Sequence, residues 1–92
     1  MNRLLVFDSV HQAIRAERML RSKGIALDMA PTPREITASC GQSIAIGNED
    51  EKLVRQMMEA EKVPYRGIYA MDAERGVYEM LIQEDASTWN SF

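Results

Sequence analysis

Cysteine is nearly absent from this chain: Cys40 stands alone among 92 residues. A single thiol excludes an intramolecular disulfide framework and a CxxC redox pair. With only one histidine, His11, it cannot close a structural zinc site either. Glycine and proline are also sparse, at five and three residues, and no low-complexity tract is present. No apolar stretch approaches the ~20 residues of a membrane span. The apolar run of four near the start, Leu4-Leu5-Val6-Phe7, falls far short of a signal-peptide core. The phosphate-cradling, zinc-protease and EF-hand signatures are missing. Basic charge is in deficit: 11 Lys and Arg face 14 Asp and Glu, for a net charge of −3. Nucleic-acid binding through phosphates ordinarily needs a basic patch, which this balance does not favour. These absences set the expectations of a reducing, cytoplasmic setting, no nucleic-acid or membrane partner, and no metal or other cofactor.

What is present is an ordinary globular balance, with 46% apolar and 27% charged residues. The length suits one domain with one compact core and leaves no room for a deep enclosed substrate cavity. Charge is uneven along the chain. Residues 1–40 carry six basic and four acidic groups, and residues 41–92 carry five and ten. A mildly basic first part is compatible with an anionic ligand or an acidic partner.

Leu4–Phe7 reads as a central strand, because a short continuous apolar run suits burial on both faces. Ser9 with Gln12 three residues on fits a capping box. The helix that follows is expected to turn Val10, Ala13, Ile14 and Leu20 inward and to end near Lys23, with Gly24 as the residue beyond its C-cap. Ile25–Ala30 reads as a second strand, ended by Pro31 and Pro33. Residues 31–41 form the longest irregular stretch, and connections of this length are disproportionately functional. Ser43–Ile46 reads as a third strand closed by Gly47. Asn48 is placed to cap a second helix whose first turn carries Glu49, Asp50 and Glu51, matching the positive end of its dipole. Leu53, Val54, Met57 and Met58 are its expected inward face, with Lys62 in its last turn and Pro64 forbidding continuation. Tyr65–Met71 reads as a fourth strand. Val77–Ile82 fits a short fifth strand or a helical turn, and Trp89 and Phe92 are candidate anchors for the tail.

The resulting βαββαβ order predicts an α+β, ferredoxin-like sandwich: a four-stranded antiparallel sheet with two helices on one face, plus a C-terminal tail. Residues 1–72 would form the domain and residues 73–92 an extension. In that topology the β2–β3 connection shares a sheet edge with the end of the first strand. This predicts that the Cys40 loop lies near Ser9, Val10 and His11.

Chemistry concentrates at Cys40. A lone cysteine is most often an inert core residue, but Cys40 lies in a Ser39-Cys40-Gly41 loop context rather than an apolar run. Gly41 lets another molecule approach the backbone closely. Arg34, six residues earlier, is a candidate neighbour that would raise the thiolate fraction, as would a helix N-terminus. Each companion has a plainer reading: Arg34 as a solvated loop residue, Thr32 and Ser39 as caps of the loop backbone, His11 and Ser9 as ordinary residues of a helix start. His11 and Asp8 could in principle complete a thiol-centred triad with Cys40, but nothing in the spacing fixes their distances.

Along Pro31-Thr32-Pro33-Arg34-Glu35-Ile36-Thr37-Ala38-Ser39-Cys40-Gly41 the chain resembles the DUF3343 family of small selenium/sulfur (Se/S) carrier proteins. Pro31, Pro33, Arg34, Ile36, Thr37, Ser39, Cys40 and Gly41 carry the resemblance, supported by the helical stretch Ala13-Ile14-Arg15-Ala16-Glu17. It covers about residues 3–72. The resemblance implies that Cys40 accepts a sulfur or selenium atom as a persulfide or perselenide and passes it on. A cysteine desulfurase or selenocysteine lyase would be the donor and an unidentified enzyme the acceptor. Arg34, Ser39, Gly41 and Thr32 would line the cargo site. The main alternative is a non-catalytic interaction or regulatory module whose cysteine is incidental. A small thiol enzyme using Cys40 with His11 is a third. A fifth strand or the Trp89/Phe92 tail could pair two copies into a homodimer.

Overall fold

A computed structural model describes residues 2–34, 36, 41–72 and 77–83. Their order is β1 (Arg3–Val6), α1 (Val10–Ser22), β2 (Asp28–Pro31), β3 (Gln42–Ile46), α2 (Glu51–Ala60), β4 (Gly67–Asp72) and β5 (Val77–Gln83). All five strands join one antiparallel sheet in the order β2-β3-β1-β4-β5. The first four strands and two helices have the ferredoxin-like α+β arrangement expected from the sequence. The sheet is wider than the four strands expected, because Val77–Gln83 takes the strand option and hairpins onto β4.

β1 lies in the middle, with Leu4 opposite both Ala45 and Tyr69 and Val6 opposite both Ser43 and Gly67. Successive strand residues face opposite ways, so the run Leu4–Phe7 feeds two cores. Leu5 and Phe7 pack with Ile44, Ile46 and Ile68 against Ala13, Ala16 and Leu20 of α1 and Val54 and Met58 of α2. Leu4 and Val6 pack on the opposite, helix-free face with Ala45 and Tyr69, joined by Ala30, Ile36 and Met71.

Both helices end in the same way. After α1, Gly24 takes a left-handed φ of 79°. The Gly24 N–H donates to the Arg21 carbonyl and the Ile25 N–H to that of Leu20. After α2, Lys62 takes a left-handed φ of 55°, with Lys62 N–H donating to Glu59 and Val63 N–H to Met58. These are Schellman closures, and each places an apolar residue beyond the turn, Ile25 or Val63, in the helix-side core. The two helices run in opposite directions. A guanidinium N–H of Arg15, in the first half of α1, accordingly donates to the Glu61 carbonyl at the end of α2, at 3.5 Å.

Several local expectations shift. β2 begins at Asp28 rather than Ile25 and retains Pro31 as its last residue, paired with Gln42. An edge strand tolerates proline there. Ile25 and Leu27 are buried without being strand. Val10 and Ile14 are exposed, and the inward stripe of α1 is Ala13, Ala16 and Leu20. The two alanines let the helix approach the sheet where larger side chains would hold it off. Leu53 of α2 is exposed as well. Asn48 does not cap α2, because Asn48–Asp50 form a 3-10 turn that runs into the helix. Its N–H is instead held at 2.8 Å by the side-chain oxygen of Asn2. Trp89 and Phe92 lie outside the described residues.

The two left-handed closures respond oppositely to mutation. A Cβ on Gly24 meets no atom within 4 Å, so only the backbone opposes it. Gly24→Ala is expected to cost about 1–2 kcal/mol. Lys62→Gly removes the same penalty and is expected to gain up to about 1 kcal/mol, part of it offset by the freer unfolded chain. Urea unfolding of both variants checks the pair.

Candidate functional site

The β2–β3 connection, which carries Cys40, leaves the sheet at the end where β1 finishes. Pro31 of β2 is paired with Gln42 of β3, and Ser43 with Val6 of β1. α1 begins at the same end, immediately beyond β1. Its N-cap is Ser9, whose hydroxyl accepts from the Gln12 N–H at 3.2 Å. Only this half of the expected capping box forms. The Gln12 side-chain oxygen is buried without a hydrogen-bond partner.

Three contacts among the described residues hold the connection. The Thr32 N–H donates to the Gly41 carbonyl at 3.2 Å, extending the β2–β3 ladder by one step beyond Pro31. The Thr32 and Ser43 hydroxyls are hydrogen-bonded to each other, and both residues are buried. Farther along, the Ile36 N–H donates to the Pro33 carbonyl at 3.0 Å, making a turn over Pro33–Ile36 with Arg34 inside it. Ile36 then packs on Leu4, Val6, Ala45 and Tyr69. Ser43 shares that face, being two residues from Ala45 along β3. The described anchors of the loop therefore lie on the helix-free side of the sheet. α1 begins on the other side.

Among the sequence candidates, Thr32 is a buried anchor whose hydroxyl is taken by Ser43. Arg34 is exposed on the turn. Gly41 is exposed, and a Cβ built there meets no atom within 4 Å, so the space beside it is open. His11 is exposed on the first turn of α1. Ser9 is spent on capping. Cys40 and Ser39 lie outside the described residues. No hydrogen bond or ion pair among the described residues joins Ser9 or His11 to the loop.

Asp8, the third group weighed for a triad, pairs instead with Arg66. A guanidinium N–H donates to its carboxylate at 2.8 Å, and both side chains are about half exposed, at 50% and 51%. The Arg66 N–H also donates to the Val6 carbonyl, so Arg66 is tied to β1 by main chain and side chain alike. Sequence reasoning did not single out Arg66. Its partner is 58 positions away, and only the antiparallel β1–β4 pairing brings the two together. The same sheet end thus holds two exposed guanidinium groups, Arg34 on the loop and Arg66 at the start of β4. Among the described residues, no three His, Cys, Asp or Glu side chains are placed to share a metal ion. Nor is any described helix long and apolar enough to cross a membrane.

A family model described as "Putative Se/S carrier protein-like" matches residues 2–70. This chain belongs to that family. The match takes in β1 through most of β4 and the whole β2–β3 connection, Cys40 included. No curated protein and no solved structure is similar enough to this chain to match it. In the Se/S carrier-like chain, the buried Thr32–Ser43 pair holds the base of the cysteine loop. Thr32→Val is expected to destabilise the protein by about 1–3 kcal/mol, because it leaves the Ser43 hydroxyl buried and unpaired. Adding Ser43→Ala removes that stranded group and recovers most of the loss. A double-mutant cycle in urea measures the coupling.

Proposed function

We propose that this protein carries sulfur or selenium as a terminal chalcogen on Cys40, acting as a transfer partner rather than a stand-alone enzyme. The observation that carries the reading is the family match across the cysteine loop. The transfer is a thiol exchange. The Cys40 thiolate attacks the outer sulfur of a persulfide on a cysteine desulfurase. A new S–S bond forms at Cys40, the old one breaks, and the donor's cysteine leaves as thiolate. No external oxidant or reductant is consumed. Delivery to an acceptor enzyme repeats the exchange in reverse. A selenocysteine lyase would supply selenium in the same manner.

The surroundings support such a role. Gly41, the residue bonded to Cys40, is exposed and has open space beside it. A loop cysteine served this way must enter another protein's site. The exposed guanidinium of Arg34 is a group suited to a persulfide anion, because charge-assisted hydrogen bonds to anions are strong. Thr32 and Ser43 act in this reading as anchors and do not touch cargo. The second reading is a non-catalytic interaction or regulatory module, which would bind its partner equally well without the thiol.

Incubation with a cysteine desulfurase and cysteine, followed by intact-protein mass spectrometry, tests the proposal. A reductant-labile gain of one sulfur is expected on the wild type and not on Cys40→Ser. The alternative module instead predicts that Cys40→Ser binds its partner normally and that neither protein gains mass. Gly41→Ala should not lower the melting temperature, since a Cβ meets nothing there and the unfolded chain loses freedom. Slower sulfur loading of that variant would then report on the approach of the donor. Arg34→Ala should slow alkylation of Cys40 at neutral pH by lowering its thiolate fraction. An unchanged rate removes Arg34 from the site.

A further inference from the structure

The two edges of the sheet are unlike. β2 is short, at four residues, begins with the exposed Asp28 and ends in Pro31, which has no N–H to offer another strand. Short length, charge and proline are the ordinary ways in which an edge strand is kept from pairing. β5 has seven residues, Val-Tyr-Glu-Met-Leu-Ile-Gln, with one charge and neither proline nor lysine. Its composition is that of a strand which pairs readily. Among the described residues it pairs with β4 alone. Met80 and Leu81 are 48% and 41% exposed. The β4–β5 register shifts where Ile68 faces Ile82 and Tyr69 faces Met80, so Leu81 is the extra, bulged residue. That bulge and the exposed Glu79 are the features of β5, among the described residues, that oppose pairing.

We propose that β5 pairs with β5 of a second copy of this chain, antiparallel about a two-fold axis, to give one continuous ten-stranded sheet. The unequal edges point to this occupant. Head-to-tail pairing of β5 with β2 of another copy would give a ring or an open filament, and Pro31 and Asp28 oppose it. Pairing of β5 with itself uses the permissive edge twice and closes at two subunits. Charge agrees with this geometry. With Met80 on the axis, Glu79 of each copy faces Leu81 of the other, so the strand's single carboxylate is not set against itself. A two-fold axis perpendicular to the sheet keeps all four helices on one face. It also sets Met80 and Leu81 of the two copies side by side, partly covering apolar groups that are exposed in the single chain. This inference is independent of the sulfur-carrier reading.

Sedimentation of the full chain between about 1 and 100 µM tests it, together with Met80→Lys and Leu81→Lys. Both side chains are exposed, so both variants should fold, and circular dichroism and melting check that they do. The expected result is a wild-type mass near twice the 10.5 kDa of one chain and a single-chain mass for the variants. Amide exchange of residues 77–83 should slow as wild-type concentration rises. A wild type that sediments as a single chain throughout the range overturns the proposal. So does a variant that folds and remains dimeric, or a dimer whose β5 amides show no added protection.

Discussion

The rest of the structure is registered against β1. Among the described strands it alone is hydrogen-bonded to two others that are remote from it in sequence, β3 and β4, and it is buried on both faces. Leu5 and Phe7 hold the helices to one side, while Leu4 and Val6 organise the other. A one-residue slip of β1 would exchange these two sets and turn every neighbouring contact to the wrong face. Its last residue, Val6, faces Ser43 and Gly67 at once. The start of β3, the start of β4 and the start of α1 are thereby brought to one end of the sheet. The two ends of the β2–β3 connection, Arg66 and Asp8 lie at the same end of the sheet because β1 ends where it does.

The helices are fitted to this sheet chiefly by their ends and by small residues. Ala13 and Ala16 are wholly buried, while the larger Val10 and Ile14 are exposed. The close approach of α1 is therefore made by the residues with least to bury, and Leu20 supplies the bulk farther along. The two Schellman closures then turn Ile25 and Val63 back into the same core. Gly24 takes its left-handed conformation without steric cost, whereas Lys62 takes a similar one against its own Cβ. The tertiary gain from burying Val63 and satisfying the last carbonyls of α2 outweighs that local preference.

What could be read in the sequence was local or periodic. The run Leu4–Phe7, the Ser9 cap and the Gly24 stop each depend on residues a few positions apart, and each is found in the fold. The inward face of α1 was harder to read, because Ala16 carries little hydrophobic signal and Val10 and Ile14 carry much. Asn48 has the chemistry of an N-cap, but the chain passes it in a 3-10 turn and Asn2 takes its N–H. Pro31 looked like a strand terminator and is the last residue of an edge strand, where its missing N–H costs nothing. The site was legible as a stretch of chain and illegible as a set of contacts. Thr32 meets Ser43 across eleven positions, and Asp8 meets Arg66 across 58. Neither pairing follows from spacing, because both depend on sheet register.

The way the loop is held bears on what its central residues can do. Thr32 and Ser43 are bonded in the interior, Thr32 and Gly41 continue the ladder, and Ile36 is packed on a strand face. These contacts tie the base and one side of the connection to the buried strands β3 and β1. The Asp8–Arg66 pair at the same end is of a different kind. Half-exposed ion pairs contribute little to stability, because water and salt screen them and ordering two long side chains opposes them. Arg66 can therefore exchange Asp8 for another anion at small cost, whereas Thr32 cannot leave Ser43 without stranding a buried hydroxyl. The two contacts at this end of the sheet thus differ in kind: Thr32–Ser43 is a fixed interior anchor, and Asp8–Arg66 is an exchangeable surface pair.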